Sequence, residues 1–415
     1  MNTKAMAYLD VGATVILEKV AAVELLCTFC HSDLMTTESS VRARWAVFGI
    51  FLLAGLIIGA WVPHVPLAKD RLAAGPALFS LGLLAIAAGA VMSMPITGAL
   101  INRFGSARIT LFGGLLFAVG FLGPVTAPTL PLFMLTGIVM GLGMGSMDVS
   151  MNAHGLAIEK SLGKPIISGL HAAFSVGAML GTFSGAWLID RLGPHSQALI
   201  FSATFTVLHI LLCLNLLPAA IDKGLSESHF GWPTKATLGL GALCFLALMV
   251  EGSVGDWAAI LMRQNFAIDA SYAAWAFGFY QTGMAASRFL GDILRKRFGA
   301  VNLVVVSAIL AAIGTGAALV APSLWLSFAG FAVGGIGIGN LAPVLFAGGG
   351  RLEPNAPGRG IAAVVSMGYA GFLAGPPIIG FVAQVSTMQI ALGLTVVAAL
   401  IIAVFARGVA PADRY

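Results

Sequence analysis

Apolar residues recur along the chain in runs of about 20 residues, the first of which begins near Trp45. A helix of this length crosses the ~30 Å hydrocarbon core of a bilayer. An even number of such helices places both ends of the chain on the same side of the membrane. The runs predict twelve spans, at about residues 45–63, 76–100, 109–128, 131–154, 166–189, 197–217, 236–260, 271–291, 301–321, 323–348, 360–383 and 387–406.

Polar residues are rare inside these runs, and the fourth run carries the most informative ones. Five of its residues fall on one helical face: Gly141, Gly145, Asp148, Asn152 and Gly155. Small residues let a neighbouring helix come close. An ionised Asp deep in a bilayer costs about 2.5–3.5 kcal/mol, so we expect Asp148 to face protein or a water-filled cavity. We interpret it as the centre of a transport path.

Composition agrees with a membrane protein and excludes several functions. Of the 415 residues, 59% are hydrophobic and only 9% are charged, whereas a soluble domain has about 25% charged residues. The sequence has no phosphate-binding loop and no His, Cys and carboxylate cluster with metal spacing, so it predicts no enzyme, no ATP-driven pump and no cofactor. The four cysteines give no disulfide framework.

Basic residues orient the predicted spans. The amino end, the even-to-odd connections and the carboxyl end together hold 18 of the 22 Lys and Arg residues. The positive-inside rule makes this face cytoplasmic, with both termini on it. The net charge of +5 follows from this placement, so it does not indicate nucleic-acid binding.

The first forty residues do not fit this pattern. Residues 11–30 are apolar but interrupted by charges, and they lack the order of a signal peptide. Cys27-Thr-Phe-Cys30-His31 formally matches a c-type haem attachment site, but that chemistry requires export and the predicted topology favours coincidence. We interpret residues 1–40 as a cytoplasmic segment, either disordered or an extension upstream of a natural start at Met35.

The two halves of the chain repeat at a fixed offset. Three patterns recur 194 residues later: Arg103-Phe-Gly105 as Arg297-Phe-Gly299, Gly141-x-Gly-x-Gly145 as Gly335-x-Gly-x-Gly339, and the pair Gly177 and Gly181 as Gly371 and Gly375. The repeat predicts an all-α membrane protein made of two parallel six-helix bundles, over residues 41–217 and 236–408. A polar linker at 218–235 joins them and a tail follows at 409–415. Such an arrangement suits rocking of two halves around a midplane site.

Two loops carry a family resemblance. The stretch from Gly98 to Arg108 resembles the signature loop of the major facilitator superfamily, with Asn102 where that family usually has Asp. A second copy runs from Arg288 to Gly299 and keeps its acid, Asp292. The resemblance implies that these loops lock and release a cytoplasmic gate, whereas positive-inside topology is the alternative. The implied gating residues are Asn102, Arg103, Arg108, Arg288, Asp292 and Arg297.

Within the superfamily, several segments resemble the branch of YbjJ and MosC, among them the stretches 61–69, 147–154 and 251–257. The resemblance to this branch implies a location in the inner membrane of a bacterium. MosC-type proteins are associated with an inositol-derived amine, so the resemblance also implies a polyol or sugar-like solute. The spacing of Asp148 and Asn152 is also similar to that of the fucose:proton symporters, in which the acid is linked to the proton.

Two carboxylates are the predicted proton-coupling groups. Burial favours the protonated form of a carboxyl group and lets it exchange a proton near physiological pH. Asp148 is the first candidate, with a structural hydrogen bond as its alternative role. Glu251 in the seventh span is the second, and Asp256 lies either in the path or at the water interface. A solute amine could pair with Glu251 or Asp256.

Polar and aromatic residues inside the spans are candidates for binding the solute. They are Asn152, His171, Ser175, Trp257, Tyr280, Gln281, Asn340 and Tyr369. On the fifth span, Thr182 continues the face of His171 and Ser175, while glycines form a separate packing stripe. Trp61 either presents its ring to the solute or anchors the helix at the interface. Prolines 343, 376 and 377 predict kinks in the tenth and eleventh spans.

The sequence therefore predicts a monomeric secondary active transporter that carries a small polar solute by alternating access, coupled to protons. One alternative is a proton-antiport exporter, because residues 177–185 resemble an antiporter motif but carry Thr182 where that motif has Pro. Another is a membrane solute sensor that kept the fold and lost transport.

Overall fold

The computed structural model describes residues 37–222, 232–353 and 356–413. The amino segment with its Cys27–His31 motif and Met35, and residues 223–231 of the linker, lie outside the described residues. The long helices are α1 (Thr37–Trp61), α2 (Pro76–Phe104), α3 (Ser106–Thr126), α4 (Leu130–Leu162), α5 (Ile167–Leu192), α6 (Pro194–Cys213), α7 (Leu238–Phe266), α8 (Trp275–Phe298), α9 (Ala300–Val320), α10 (segments Leu324–Ile338 and Leu341–Leu352), α11 (Pro357–Val385) and α12 (Met388–Phe405).

Shorter elements complete the chain. The helix His64–Arg71 follows α1, and the helix Ala270–Ala273 precedes α8. The 3₁₀ turns Ala219–Asp222 and Ala406–Asp413 follow α6 and α12. α1 is apolar up to its last residue, Trp61, so loss of hydrophobicity does not end it. It ends two residues before Pro63, whose missing backbone N–H interrupts regular helical bonding.

Each predicted span corresponds to one long helix, so the twelve-helix prediction is confirmed. Among the described residues, eleven helices are long and apolar enough to cross a membrane. The remaining helix, α8, is more polar because its last turns carry Arg295, Lys296 and Arg297. It nevertheless packs against α5, α7 and α10 within the bundle.

The two halves pack in the same way, as the sequence repeat predicts. In the amino-terminal lobe (α1–α6), α5 packs on α1 and α4 packs on α2 and α3. In the carboxyl-terminal lobe (α7–α12), α11 packs on α7 and α10 packs on α8 and α9. The lobes meet along α2 with α11 and along α5 with α8, which are equivalent pairs.

The repeated glycines mark the closest helix contacts. A Cβ on Gly177 would lie 1.9 Å from the carbonyl oxygen of Leu52 in α1, and one on the equivalent Gly371 would lie 2.1 Å from that of Phe245 in α7. Any side chain at either position would therefore force the two backbones apart. The glycine stripe predicted on α5 is the face that contacts α1.

Helix α10 is interrupted one turn before its proline. The interruption lies at Gly339 and Asn340, and Pro343 cannot donate the backbone N–H that would bond the carbonyl of Gly339. That carbonyl is therefore free to accept another hydrogen bond. In α11, prolines 376 and 377 lie within one continuous helix.

Candidate solute-binding site

A cavity of about 560 Å³ lies between the two lobes, a size that fits a small molecule. It is lined by residues of both lobes, and many of the predicted site residues are on its wall: Trp61, Asp148, His171, Glu251, Asp256, Gln281, Arg288, Asn340 and Tyr369. The wall is otherwise mostly apolar, with ring faces from Phe277 and Phe372. The predicted residues Asn152, Ser175, Trp257 and Tyr280 lie behind this wall.

Asp148 faces the cavity and accepts two side-chain hydrogen bonds. Its Oδ2 accepts from the hydroxyl of Tyr369 at 2.5 Å, and its Oδ1 accepts from Nδ2 of Asn152 at 3.1 Å. Asn152 lies one turn further along α4 and also donates to the backbone oxygen of Asp148 at 2.9 Å. Because Tyr369 belongs to α11, the carboxylate of Asp148 joins the two lobes.

The glycines that precede Asp148 bring its helix close to α2. A Cβ on Gly141 would lie 2.0 Å from the carbonyl oxygen of Ile86, and one on Gly145 would lie 2.3 Å from that of Ala90. Asp148 follows at the next turn, on the same helix that lines the cavity from Met140 to Met151. The glycines therefore determine helix packing, and the acid and the amide supply the chemistry.

Arg288 lies at the centre of a second polar group. Its Nη1 donates to Oγ of Ser175 at 2.7 Å, across the lobe boundary, and its Nε donates to the carbonyl of Gly339 at 3.2 Å. Its Nη2 lies 3.7 Å from Oε1 of Glu251. The acceptor on Gly339 is the carbonyl that Pro343 leaves unbonded, so the break in α10 creates part of this site.

Arg288 lies away from the loop to which the family resemblance assigned it, and its gating role stays a prediction. The family loop begins at Arg288, but α8 continues for ten more residues, to Phe298. One turn of helix covers 3.6 residues, which places Arg288 almost three turns from the end of the helix and on the wall of the cavity.

Glu251 and Asp256 both face the cavity. They flank the stripe of Leu248, Gly252 and Gly255 along α7, so both reach the cavity although they are not stacked on one face. The sequence left two positions open for Asp256, in the transport path or at the water interface. The structure places its side chain on the cavity wall. Among the described residues, Asp256 has no hydrogen-bond or ion-pair partner, whereas Glu251 pairs with Arg288.

The predicted polar face of α5 is divided between two environments. His171 lines the cavity, with its ring edge-on to Phe51 at 5.4 Å between centroids. Ser175 is buried and bonds Arg288. Thr182 instead donates to the carbonyls of Gly59 at 3.2 Å and Ala178 at 2.8 Å. The expectation that Thr182 belongs to a cavity face is wrong, because α1 covers α5 at that level.

The aromatic candidates also separate. Trp61 lines the cavity and is 6% exposed, so it does not act as an interfacial anchor. Trp257 is fully buried and meets Phe79 of α2 edge-to-face at 6.2 Å. Tyr280 is fully buried inside its own lobe, where its backbone packs against Gly335. These last two residues therefore support the lobe contact and the lobe interior rather than the cavity wall.

One end of the cavity is closed by contacts between the lobes. At the predicted extracytoplasmic end, Arg263 pairs with Asp70, and Oε1 of Gln384 accepts from the backbone N–H of Ala77 at 3.4 Å. Phe183 of α5 also packs on Trp275 at 5.3 Å. Sequence reasoning used Asp70 and Arg263 only for topology. The sequence signal for this contact was an acid in the first extracytoplasmic connection, Asp70, and a base in the fourth, Arg263.

Toward the other end, the cavity continues to Met94, Gly291 and Arg295. The predicted gating arginines lie beyond it at the surface. Arg103 and Arg297 each stack on the following phenylalanine ring, at 5.1 and 5.5 Å. Among the described residues, no ion pair across the lobes involves Arg103, Arg108 or Arg297, and no hydrogen bond across the lobes involves Asn102. The side chain of Asp292 is not among the described parts of the chain. Their gating role stays a prediction.

The two signature-like loops are held from within their own lobes. Asp222, after α6, accepts at 2.7 Å from both the backbone N–H and the hydroxyl of Ser106, at the start of α3. Asp413, after α12, accepts from the backbone N–H of Ala300 at 2.6 Å, at the start of α9. Each carboxylate thus caps the equivalent helix of its lobe.

Comparison with known proteins decides the family. The family model of the Major Facilitator Superfamily matches residues 46–228 and 239–414. The chain belongs to this superfamily. It is thus a multi-pass membrane transporter and not an enzyme, as the sequence predicted.

Relatives in the superfamily are similar over most of their length. An uncharacterized MFS-type transporter of Yersinia pestis is 31% identical over 363 residues, covering 86% of this chain and 94% of the relative. The membrane protein MosC of Rhizobium meliloti is 28% identical, covering 85% of this chain and 86% of its own.

Solved superfamily structures share the fold at low identity. The nucleoside transporter NupG superposes with a TM-score of 0.68 at 14% identity, covering 88% of this chain and 98% of its own. A bacterial homologue of the human lysosomal transporter Spinster, in an inward-facing and occupied conformation, gives 0.69 at 15% identity, covering 92% of this chain and 99% of its own.

Proposed function

We propose that this transporter moves a small polar solute by alternating access, coupled to protons through Asp148. The observation that carries the proposal is the carboxylate of Asp148 on the wall of a cavity that both lobes share. Its contact with Tyr369 crosses the lobe boundary, so a change of proton state at this group acts on both lobes. Intramembrane acids that face a cavity are typical of proton relays in transporters.

The orientation predicted from basic residues places the closed end outside the cell. With both termini in the cytoplasm of a bacterium, the structure corresponds to an inward-facing conformation. The contacts between Arg263 and Asp70 and between Phe183 and Trp275 then form the closed outer side. The cavity that continues to Arg295 then opens inward.

The composition of the wall supports a sugar, a polyol or an inositol-like solute. The amide of Gln281 and the amide oxygen of Asn340 offer hydrogen bonds, and Trp61 offers a ring face. The amide nitrogen of Asn340 already donates to Ser287. Oε1 of Gln281 has no hydrogen-bond partner among the described residues, so a solute hydroxyl would satisfy it. Asp256 is the acid that remains free to pair with a solute amine, since Glu251 is engaged by Arg288.

Two measurements on purified protein test this function. A thermal-shift panel of sugars, inositols and their amines would identify ligands, and counterflow in liposomes would show that a ligand is transported. We expect Asp148→Asn to abolish uptake driven by a proton gradient and to retain exchange between solute pools inside and outside the liposome. Full accumulation by Asp148→Asn would remove the proton role, while absence of counterflow for any ligand of the wild-type protein would argue for a sensor.

A further inference from the structure

Among the described residues, two side chains of the carboxyl-terminal lobe, Tyr369 and Arg288, donate hydrogen bonds to the amino-terminal lobe at the cavity. Tyr369 donates to Asp148, and Arg288 donates to Ser175. The two contacts differ in chemistry. A guanidinium group is a hydrogen-bond donor only, whereas the carboxyl group of Asp148 changes its charge when it takes up a proton.

The surroundings direct one oxygen of Asp148 at Tyr369. Asn152 holds Oδ1 from the same helix, which leaves Oδ2 pointing to α11. The hydroxyl of Tyr369 donates to this oxygen at 2.5 Å, and a hydroxyl that donates to an ionised carboxylate makes a charge-assisted bond. Such bonds are about twice as strong as bonds between neutral groups, so the contact is stronger when Asp148 is ionised.

We propose that the Tyr369–Asp148 hydrogen bond is the link through which the proton state of Asp148 controls separation of the lobes. The ionised carboxylate holds α4 against α11 in the conformation described here. Protonation removes the charge that strengthens this bond and allows α11 to move away from α4. The proposal rests on the proposed proton coupling at Asp148 and gives Tyr369 a positioning role rather than a role in binding the solute.

Other charged groups near Asp148 are separate from this link. Glu251 and Asp256 of α7, Arg288 of α8 and His171 of α5 line the cavity with it. The thiol of Cys244 of α7 is buried outside the cavity wall, against α11 at Gly368. The helices packed directly on α4 carry their charges at their ends, on Glu38, Arg42, Arg44, Arg103 and Arg108, and Asp222 lies on the turn beside it. A pH response from any of these groups would persist after Tyr369 is changed.

The test measures the distance between the lobes at two pH values. Thr129 and Ser323 immediately precede α4 and α10, are both exposed and are 194 residues apart, so they are equivalent positions in the two lobes. Spin labels on Thr129→Cys and Ser323→Cys, in full-length protein without its native cysteines and reconstituted in nanodiscs, report the outer opening. We expect the ratio of open to closed populations to change about tenfold between about pH 8 and pH 5, the size of one lost charge-assisted hydrogen bond.

We expect this pH response to disappear in Tyr369→Phe, which has no donor. We expect part of it to return in Tyr369→Gln, which has an N–H donor. Asp148→Asn should also lose the response, and combining it with Tyr369→Phe should add nothing. Tyr272→Phe is the matched control, because Tyr272 is exposed and stacks on Trp275 at 4.6 Å outside the cavity. The melting temperature of each variant shows whether it is folded.

The outcomes separate the two proposals. If Tyr369→Phe is folded and keeps the wild-type pH response while Asp148→Asn loses it, Tyr369 is not the link and proton coupling at Asp148 stands. If Asp148→Asn also keeps the response, the proton role of Asp148 fails as well. A Tyr369→Phe variant that does not fold leaves the decision to Tyr369→Gln, in which loss of the pH response despite a retained donor would overturn the link.

Discussion

Replacing Arg288 by Met removes its ion pair with Glu251 and three hydrogen bonds, to Ser175 and to the carbonyls of Gly339 and His171. The side chain is 8% exposed and that of Glu251 is 14% exposed, so the pair is shielded from water. Removing one partner of a buried ion pair typically costs about 3–5 kcal/mol, because the other charge remains buried without compensation. The carbonyl of Gly339 also loses its donor, for which about 1–3 kcal/mol is typical.

The structure predicts an asymmetry within this pair. Glu251→Gln leaves Arg288 with Ser175 and the carbonyl of Gly339 as acceptors, whereas Arg288→Met leaves Glu251 without a cation. Arg288→Met should therefore lower the melting temperature by more than Glu251→Gln does. The double variant should recover most of the loss, because it contains no uncompensated charge.

The assay is thermal unfolding of the purified variants, together with counterflow for any ligand found. The four melting temperatures form a double-mutant cycle, in which a coupling of about 0.5–3 kcal/mol is expected for residues in contact. Equal losses in Arg288→Met and Glu251→Gln that simply add in the double variant would refute the reasoning. A double variant that is stable but does not transport would separate the structural role of the pair from its functional role.

Three further predictions follow from the helix contacts and the orientation. Gly181→Leu should prevent folding, because a Cβ there would lie 1.9 Å from a carbonyl oxygen of α1, whereas Gly169→Ala, with open space around it, should fold normally; similar yields of folded protein would contradict the tight packing. Arg263→Gln should weaken the closed outer end and raise the alkylation rate of a cavity cysteine from outside; an unchanged rate would show that the ion pair does not hold this end. A membrane-impermeant maleimide should label Thr129→Cys in intact cells and Lys164→Cys only after permeabilisation; the reverse pattern would invert the predicted topology.

The fold was largely predictable because its main signals are local or periodic. Apolar runs of fixed length give the spans, and the 194-residue repeat gives the pairing of helices through glycines such as Gly177 and Gly371. Even α8 was found from its sequence run, although the charges in its last turns make it the most polar of the long helices.

The candidate site was predictable only in part, because its contacts join residues far apart in sequence. Asp148 and Tyr369 are 221 residues apart, and no spacing rule connects them. Arg288 was grouped with the loop because the family motif begins there, while its partner carbonyl exists only because Pro343 interrupts α10. Thr182 shares the helical face of His171, but only packing against α1 decides that His171 lines the cavity and Thr182 does not.

The paired caps at Ser106 and Ala300 have a consequence for how the chain could be divided. Asp222 and Asp413 each complete a helix end of their own lobe, so neither lobe borrows these hydrogen bonds from the other. Two polypeptides, one ending just after Asp222 and one beginning just before Trp232, would each contain a whole lobe with its own cap intact. Co-expressed as separate fragments, they should complement each other and assemble along α2 with α11 and α5 with α8.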